Sequence, residues 1–336
     1  MKNRLGKIFL ILFVVFWVAW LSWAGDGQID IAILPFTISS SGSYVVVKDL
    51  SLSTQDTNGI TISAHNVTLD LNGHTLIGPG KAAGTSGSGI NITGSYFNIT
   101  VRNGTIRDWR DAGIGGNACN SLFEFLRCYN NGGGGIEAGS YSTIRFCNCS
   151  YNGSNGIVGN AGVITGNSCS QNGSDGISGG GSSGTINENT CFGNDSNGIH
   201  TYGGVVTNNN CSGNTEDGIL AEGGLINGNY CAGNTGNGIR AWTYCRVTNN
   251  TCYSNGYGAA TAAGIDSIGY NSIENNVVTS NDYGISAAAG DFFVGNRARN
   301  NTTDYSYPSN CLRGQIINGT AGGVISTTDP YANFRF

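Results

Sequence analysis

Short apolar runs recur along this chain at a nearly constant interval and are separated by glycine and asparagine. The clearest marker is the dipeptide Gly-Ile, and from Ile114 to Ile239 successive copies are spaced by 22, 21, 20, 22, 20 and 20 residues. A fixed period in this range indicates a solenoid, in which each repeat buries its apolar side by stacking on its neighbours. The eleven copies have their isoleucines at positions 60, 90, 114, 136, 157, 177, 199, 219, 239, 265 and 285.

Two further apolar columns accompany the isoleucine. A cysteine lies eight residues before it in six consecutive repeats, and an Ile, Val or Phe lies five residues before that cysteine. Each apolar stretch is short, rich in Ile and Val, and bounded by Gly or Asn, which predicts strands and not helices. Three strands and three turns fit 20 to 22 residues as one coil. We therefore predict an all-β, single-stranded parallel β-helix of about ten to eleven coils, capped at both ends.

Asparagine forms two more columns, one three residues after the cysteine and one two residues before it. Asn tolerates the left-handed conformation of a tight corner, and stacked amides can hydrogen-bond along a ladder. We interpret both columns as structural. Many of these asparagines also form glycosylation sequons, such as Asn152-Gly153-Ser154, but a ladder that faces inward cannot carry glycans. The sequons are therefore interpreted as by-products of the repeat.

Seven of the eleven cysteines form the column just described, with Cys252 at its end. In-register neighbours would have Cβ atoms about 4.8 Å apart, whereas a disulfide prefers about 3.8 Å. This spacing favours a ladder of buried thiols. The better disulfide candidates are the four cysteines outside the column, with their pairing left open: Cys119, Cys147, Cys245 and Cys311. A metal site at Cys147-x-Cys149 is disfavoured because no nearby His or second Cys-x-Cys completes a tetrahedral set, so no metal ligand is assigned.

The two ends of the chain depart from the repeat. Residues 1–24 combine basic residues, an apolar run and the small-x-small sequence Ser22-Trp23-Ala24, which predicts a secretory signal peptide. An uncleaved membrane anchor is the alternative. We assign residues 25–58 to an N-terminal cap, 59–301 to the parallel β-helix and 302–336 to a C-terminal cap. After signal cleavage no membrane span is expected, and the protein would be secreted, periplasmic or on the cell surface.

The charge balance argues against one class of partner. The signal carries three of the 16 basic residues and none of the 21 acidic ones, so its removal leaves a net charge of −8. Nucleic acid is therefore not an expected partner, because phosphate binding needs a basic stripe.

The region before and at the first coils carries a family resemblance. Gly42-Ser43-Tyr44, Lys48-Asp49-Leu50, Gly59-Ile60-Thr61-Ile62 and the run from Asn66 to Leu76 resemble bacterial right-handed β-helix repeat proteins of the pectate-lyase-like superfamily. With the Asn-Gly-Ile coils, the resemblance covers nearly all of the mature chain. It implies a right-handed helix but no single activity, because this superfamily includes lyases, hydrolases, esterases, epimerases and adhesins.

The catalytic motifs of that superfamily are mostly missing. The chain has no Asp-Asp pair of the polygalacturonase type and no Asp-Pro-His-Glu sequence of the alginate-epimerase type. A pectate-lyase-like reaction needs Ca²⁺-binding acids beside a basic residue, yet the mature chain has only two lysines, Lys48 and Lys81. Gln55-Asp56-Thr57 resembles a pectin-methylesterase motif only superficially. No cofactor is therefore expected, except Ca²⁺ if the protein is a lyase.

One group of polar and aromatic residues stands out on the predicted outer surface. Residues one and three positions after the repeat isoleucine should point outward, because strand side chains alternate. Over four coils the first position reads His200, Leu220, Arg240 and Asp266, and the second reads Tyr202, Glu222, Trp242 and Ile268. We call six of these residues the outward strip: His200, Tyr202, Glu222, Arg240, Trp242 and Asp266.

The outward strip has three interpretations. Aromatic faces beside charged groups are typical of a sugar-binding site. Glu222 and Asp266 would lie roughly 10 Å apart, near the upper limit for an inverting glycosidase, with Arg240 as a third catalytic candidate. Alternatively, the strip is an ordinary solvated face in which Arg240 and Asp266 form a weak ion pair. His65 and His74 are assigned to packing, and Asp175 and Asp217 to turns.

These observations favour an exported, monomeric and noncatalytic protein that binds cell-surface or matrix polysaccharide. The first alternative is a polysaccharide lyase or glycoside hydrolase acting on an acidic glycan. The second is a structural or adhesin-like envelope protein. Whether the chain is an enzyme stays open at the level of sequence.

Overall fold

The computed structural model describes residues 27–179, 181, 184–256, 261–319 and 325–336, and the signal peptide predicted over residues 1–24 lies outside them. The described residues form strands and turns without any helix, and every strand pairing is parallel. The predicted all-β parallel solenoid is confirmed. No helix in the described ranges has the length and apolar character to cross a membrane.

The strands belong to two parallel sheets. The first contains thirteen strands, each from a different coil. They are Phe36–Ile38, Ile60–Ile62, Ile90–Ile92, Ile114–Gly116, Ile136–Glu137, Ile157–Gly159, Ile177–Gly179, Ile199–Thr201, Ile219–Ala221, Ile239–Thr243, Ala263–Gly269, Tyr283–Ser286 and Thr303–Ser306.

The second sheet contains 26 strands and combines the two other sides of each coil. They are Gln28–Ile31, Gly42–Val46, Leu50–Ser51, Val67–Asp70, Thr75–Ile77, Ile99–Arg107, Leu122–Tyr129, Thr143–Arg145, Asn148–Ser150, Val163–Thr165, Ser168–Ser170, Thr185–Asn187, Thr190–Phe192, Val205–Thr207, Asn210–Ser212, Gly224–Asn227, Tyr230–Ala232, Cys245–Thr248, Thr251–Tyr253, Ser272–Glu274, Val277–Thr279, Phe292–Val294, Arg297–Arg299, Leu312–Arg313, Ile316–Asn318 and Asn333–Arg335.

The stack has about 14 turns, more than the ten to eleven predicted. The difference arises because coils without the Gly-Ile dipeptide continue the first sheet at both ends. Phe36–Ile38 pairs with Ile60–Ile62, and Thr303–Ser306 pairs with Tyr283–Ser286. A count of dipeptides therefore misses the terminal coils.

The core is built from the predicted columns, stacked in register. Ile177 pairs with Ile199, and Cys169 pairs with Cys191, one coil away. All eleven repeat isoleucines and all seven column cysteines have no exposed surface. The prediction of buried thiols is thus confirmed for the column, and all eleven cysteines of the chain are free thiols, including the four disulfide candidates.

The glycine of the Gly-Ile dipeptide is required by the close approach of the next coil. A Cβ atom added to Gly218 would lie 2.6 Å from the carbonyl oxygen of Gly238 and 2.7 Å from Nδ2 of Asn234. Those distances are far below van der Waals contact. The repeat therefore places a residue without a side chain at a point where the backbone of the next coil leaves no room for one.

Both asparagine columns form buried ladders, as predicted. The Asn194 backbone N–H donates to Oδ1 of Asn214 at 3.1 Å, and Asn194 Nδ2 donates to the same oxygen at 2.9 Å and to the Cys169 carbonyl at 3.2 Å. Asn152 and Asn172, which belong to sequons, occupy the same ladder and are at most 2% exposed. In the folded chain their side-chain amides are hydrogen-bonded within the ladder.

Candidate functional site

The register of the first sheet places the first outward column in one row. His200 pairs with Leu220, Leu220 with Arg240, and Arg240 with Asp266. Each of these residues follows a buried repeat isoleucine, so its side chain points away from the core. The side chains of His200 and Asp266 are 17% and 20% exposed, and that of Arg240 is 43% exposed.

The second outward column runs beside the first. Tyr202, Trp242 and Ile268 are exposed by 53%, 47% and 51%, and the side chain of Glu222 is 33% exposed. Glu222 lies on the coil between those of Tyr202 and Trp242. With about 4.8 Å between coils, the two aromatic residues are about 10 Å apart along the axis.

His200 is held between two carboxylates on neighbouring coils. Its Nδ1 lies 3.7 Å from Oδ2 of Asp175, and its Nε2 lies 3.3 Å from Oε1 of Glu222. The His200 and Tyr202 rings pack with centroids 4.4 Å apart. Hydrogen bonding to Asp175, supported by Glu222, raises the pKa of His200 despite partial burial. The imidazole therefore retains its proton to higher pH than an isolated histidine.

Arg240 also lies between two carboxylates. Its Nε donates to Oδ2 of Asp266 at 3.2 Å, and its Nη1 lies 3.9 Å from Oδ2 of Asp217. The ion pair between Arg240 and Asp266 that the sequence suggested is thus present. Burial raises the pKa of Asp217, although hydrogen bonds from Asn237 and the charge of Arg240 act in the opposite direction.

The sequence did not predict that Asp175 and Asp217 contact His200 and Arg240. Both occupy a third corner ladder, in which the order is Asn155, Asp175, Asn197, Asp217 and Asn237. Each Asp uses Oδ1 to accept hydrogen bonds from the backbone N–H and Nδ2 of the next asparagine. Because Asp replaces Asn, Oδ2 is a second acceptor, and it faces His200 or Arg240. The alternation of Asp and Asn was the available signal in the sequence.

Trp242 differs from those exposed aromatic residues that stack in pairs. Phe125 stacks on Phe146 with centroids 5.4 Å apart, and Tyr244 stacks on Tyr270 at 6.2 Å. Within the described ranges, Trp242 has no aromatic ring partner. Its ring is therefore available to a ligand, whereas the paired rings are partly covered by each other.

The three catalytic candidates are divided between two separate groups. Glu222 contacts His200, whereas Asp266 contacts Arg240. No direct contact joins Glu222 to Asp266 or Arg240 in the part of the chain that the structure describes. In the same part of the chain, no group of three or more His, Cys, Asp or Glu side chains could hold a metal ion.

Residues assigned to packing have structural contacts. His74 Nδ1 lies 3.4 Å from Oδ1 of Asp49, and the His65 ring packs on Phe97 with centroids 4.0 Å apart. Asp56, within the superficial esterase-like motif, accepts backbone hydrogen bonds from Thr85 and Ser86. These bonds attach a surface loop.

Comparison with known proteins identifies the fold. No protein-family model matches the sequence, and no curated protein sequence is similar to it. Among solved structures, the A-module of the Azotobacter vinelandii mannuronan C-5 epimerase AlgE6 is 14% identical, with a TM-score of 0.61, over 93% of this chain and 90% of that chain. The AlgE4 A-module from the same organism is 16% identical, with a TM-score of 0.51, over 92% and 91%.

A third similar structure is the Dettilon tailspike protein, which is 16% identical with a TM-score of 0.57. The match covers 85% of this chain and 61% of the tailspike. At these identities the similarity establishes the fold alone. The chain is a right-handed parallel β-helix, which is the fold that the sequence resemblance implied.

Proposed function

We propose that this chain is an exported, monomeric β-helix protein that binds a cell-surface or matrix polysaccharide through the outward strip. The observation that carries the proposal is the pair of exposed aromatic rings, Tyr202 and Trp242, on either side of Glu222. Aromatic faces stack on the apolar faces of sugar rings, and the adjacent charged groups bind hydroxyls. The names of the similar epimerases specify a polysaccharide, mannuronan, which supports a glycan as the ligand class.

The contacts of the strip favour binding over catalysis. A pair of carboxylates that cleaves a glycosidic bond must face the same bond, one of them as a proton donor. Here Glu222 is engaged by His200, and Asp266 by Arg240. Each carboxylate is thus paired with a basic side chain of its own, and the two carboxylates do not form a pair with each other. We therefore propose a noncatalytic role.

A comparison of Trp242→Ala with the wild type on a glycan array tests the strip, with affinities measured by calorimetry for the glycans that bind. Loss of the indole should weaken binding by about tenfold or more, because one aromatic stack contributes on the order of 1 kcal/mol beyond its buried area. The control is Tyr253→Ala, because Tyr253 is as exposed as Trp242, at 47%, but belongs to the other sheet. Unchanged binding by Trp242→Ala would exclude the strip as the binding site.

Two further assays separate the alternatives. A lyase acting on an acidic glycan would release unsaturated uronates, which absorb in the ultraviolet, and the reaction is followed with and without Ca²⁺. Sustained product formation would contradict the noncatalytic role. Self-association without binding to any glycan would instead favour a structural or adhesin-like envelope protein.

A further inference from the structure

The outward strip and its buried neighbours carry an excess of negative charge. Four carboxylates, from Asp175, Asp217, Glu222 and Asp266, surround the two cationic side chains. The group has a net charge of −2 when the imidazole is protonated and −3 when it is neutral. The mature chain, at −8, has the same sign.

Neither cation of the strip is free to receive an acidic sugar. Arg240 is engaged by Asp217 and Asp266, and His200 by Asp175 and Glu222. A uronate carboxylate placed here would have to displace an existing partner and approach other carboxylates of like charge. Like charges brought together on binding oppose association. The strip therefore disfavours polyuronates.

A sugar that carries a protonated amine meets the opposite situation. Glu222 lies between the coils of Tyr202 and Trp242 and is one third exposed, with only Oε1 bonded to His200. A sugar ring stacked on either aromatic residue would place its substituents beside this carboxylate. A charge-assisted hydrogen bond from an ammonium group to Oε2 would add affinity to the stacking.

We propose that the outward strip selects a polysaccharide with protonated amino sugars, such as a deacetylated glucosamine polymer, over neutral and acidic glycans. This inference rests on the proposed function, because it assumes that the strip is where the polysaccharide binds. The aromatic residues supply the stacking, and the excess of carboxylates supplies the selectivity.

Calorimetry with three tetrasaccharides tests the selectivity: the tetramers of glucosamine, N-acetylglucosamine and galacturonate. Measurements are made at mildly acidic pH and low salt, where the amines are protonated and charge interactions are least screened. The glucosamine tetramer should bind about tenfold more tightly than the N-acetylated tetramer. Glu222→Gln should weaken binding of the glucosamine tetramer more than binding of the N-acetylated tetramer, and so remove most of that difference.

A double variant tests the same reasoning in the opposite direction. Asp217→Asn combined with Asp266→Asn removes both partners of Arg240, and Asn already occupies the corner equivalent to 217 at Asn197 and Asn237. The ladder should persist, and circular dichroism checks that it does. This variant should gain affinity for the galacturonate tetramer.

The outcomes distinguish the two proposals. If none of the three tetramers and no glycan on the array binds, the proposed function fails. If the neutral or the acidic tetramer binds most tightly and Trp242→Ala abolishes that binding, the proposed function stands and the selectivity for amino sugars is wrong. Preference for glucosamine that Glu222→Gln does not reduce would also overturn the inference.

Discussion

Replacing Asn194 with alanine should destabilise the protein far more than replacing an exposed asparagine of the same coil region. The Asn194 amide is completely buried in the middle of its ladder. Its Oδ1 accepts hydrogen bonds from the backbone N–H of Asn172 at 3.1 Å and from Asn172 Nδ2 at 3.0 Å. The substitution leaves both N–H groups without this acceptor, away from solvent.

The size of the effect follows from those two donors. An unsatisfied buried polar group costs about 1–3 kcal/mol, so the two donors together predict a loss of about 2–6 kcal/mol in the free energy of unfolding. The carbonyl of Cys169 also loses a donor. The effect should therefore not fall at the low end of the distribution for single substitutions.

Urea unfolding followed by circular dichroism measures this loss, with Asn210→Ala as the matched control. Asn210 is exposed, and its side chain makes no hydrogen bond within the described ranges, so its replacement should change stability by about 0.5 kcal/mol or less. Because solenoids can unfold in segments, the slope of the transition is compared as well. A loss below about 1 kcal/mol for Asn194→Ala with an unchanged slope would refute the view that the ladder stabilises the coils.

Three further predictions follow from the geometry. Gly218→Ala should lower the melting temperature, because its Cβ would lie 2.6 Å from the carbonyl oxygen of Gly238 in the next coil. Moving closely packed coils apart to make room costs stability, so an unchanged melting temperature would contradict this prediction. The hydrogen bond to Asp175 raises the pKa of His200 above its ordinary 6.5. The stability that this bond contributes should therefore be complete below pH 6.5 and disappear as the pH rises through the raised pKa. His200→Gln should lack this pH dependence when unfolding is measured over a pH series. Cys119 and Cys311 are partly exposed and the nine other cysteines are buried, so a thiol reagent should label two groups in the native protein and eleven after unfolding. Because four cysteines lie outside the column, rapid native labelling of more than four would argue against the thiol column.

Much of the fold could be predicted because the same apolar positions recur in almost every coil. Once Ile, Cys and Ile or Val recur at one period, only a common interior can bury all of them. The number of coils was underestimated because Phe36–Ile38 and Thr303–Ser306 belong to coils without a Gly-Ile dipeptide. Residue alternation likewise predicted the row that contains His200, Arg240 and Asp266.

The roles of Asp175 and Asp217 could not be predicted by the same reasoning. Both precede the repeat isoleucine at a corner, where Asp and Asn are equally good turn residues. Their carboxylates contact His200 and Arg240, which lie one coil further on. Whether such a contact forms depends on which of the two carboxylate oxygens is hydrogen-bonded within the ladder. In the structure, Oδ1 is bonded to the next asparagine and Oδ2 faces a basic side chain.

The two carboxylate oxygens of Asp175 and of Asp217 connect the outward strip to the asparagine ladder, because Oδ1 bonds to the ladder and Oδ2 faces the strip. Asp175 and Asp217 are fixed by ladder hydrogen bonds of 2.7 to 3.0 Å to the next asparagine, so their free oxygens are held in place by the stacking of the coils. Those oxygens in turn orient His200 and Arg240, which reduces the side-chain entropy that a ligand would have to remove on binding. An Asn at either corner would support the ladder equally well and leave the cation without that partner. The choice of Asp over Asn at these two corners therefore contributes contacts to the surface and not to the ladder, and under the proposed function it preorganises the cationic side chains of the outward strip.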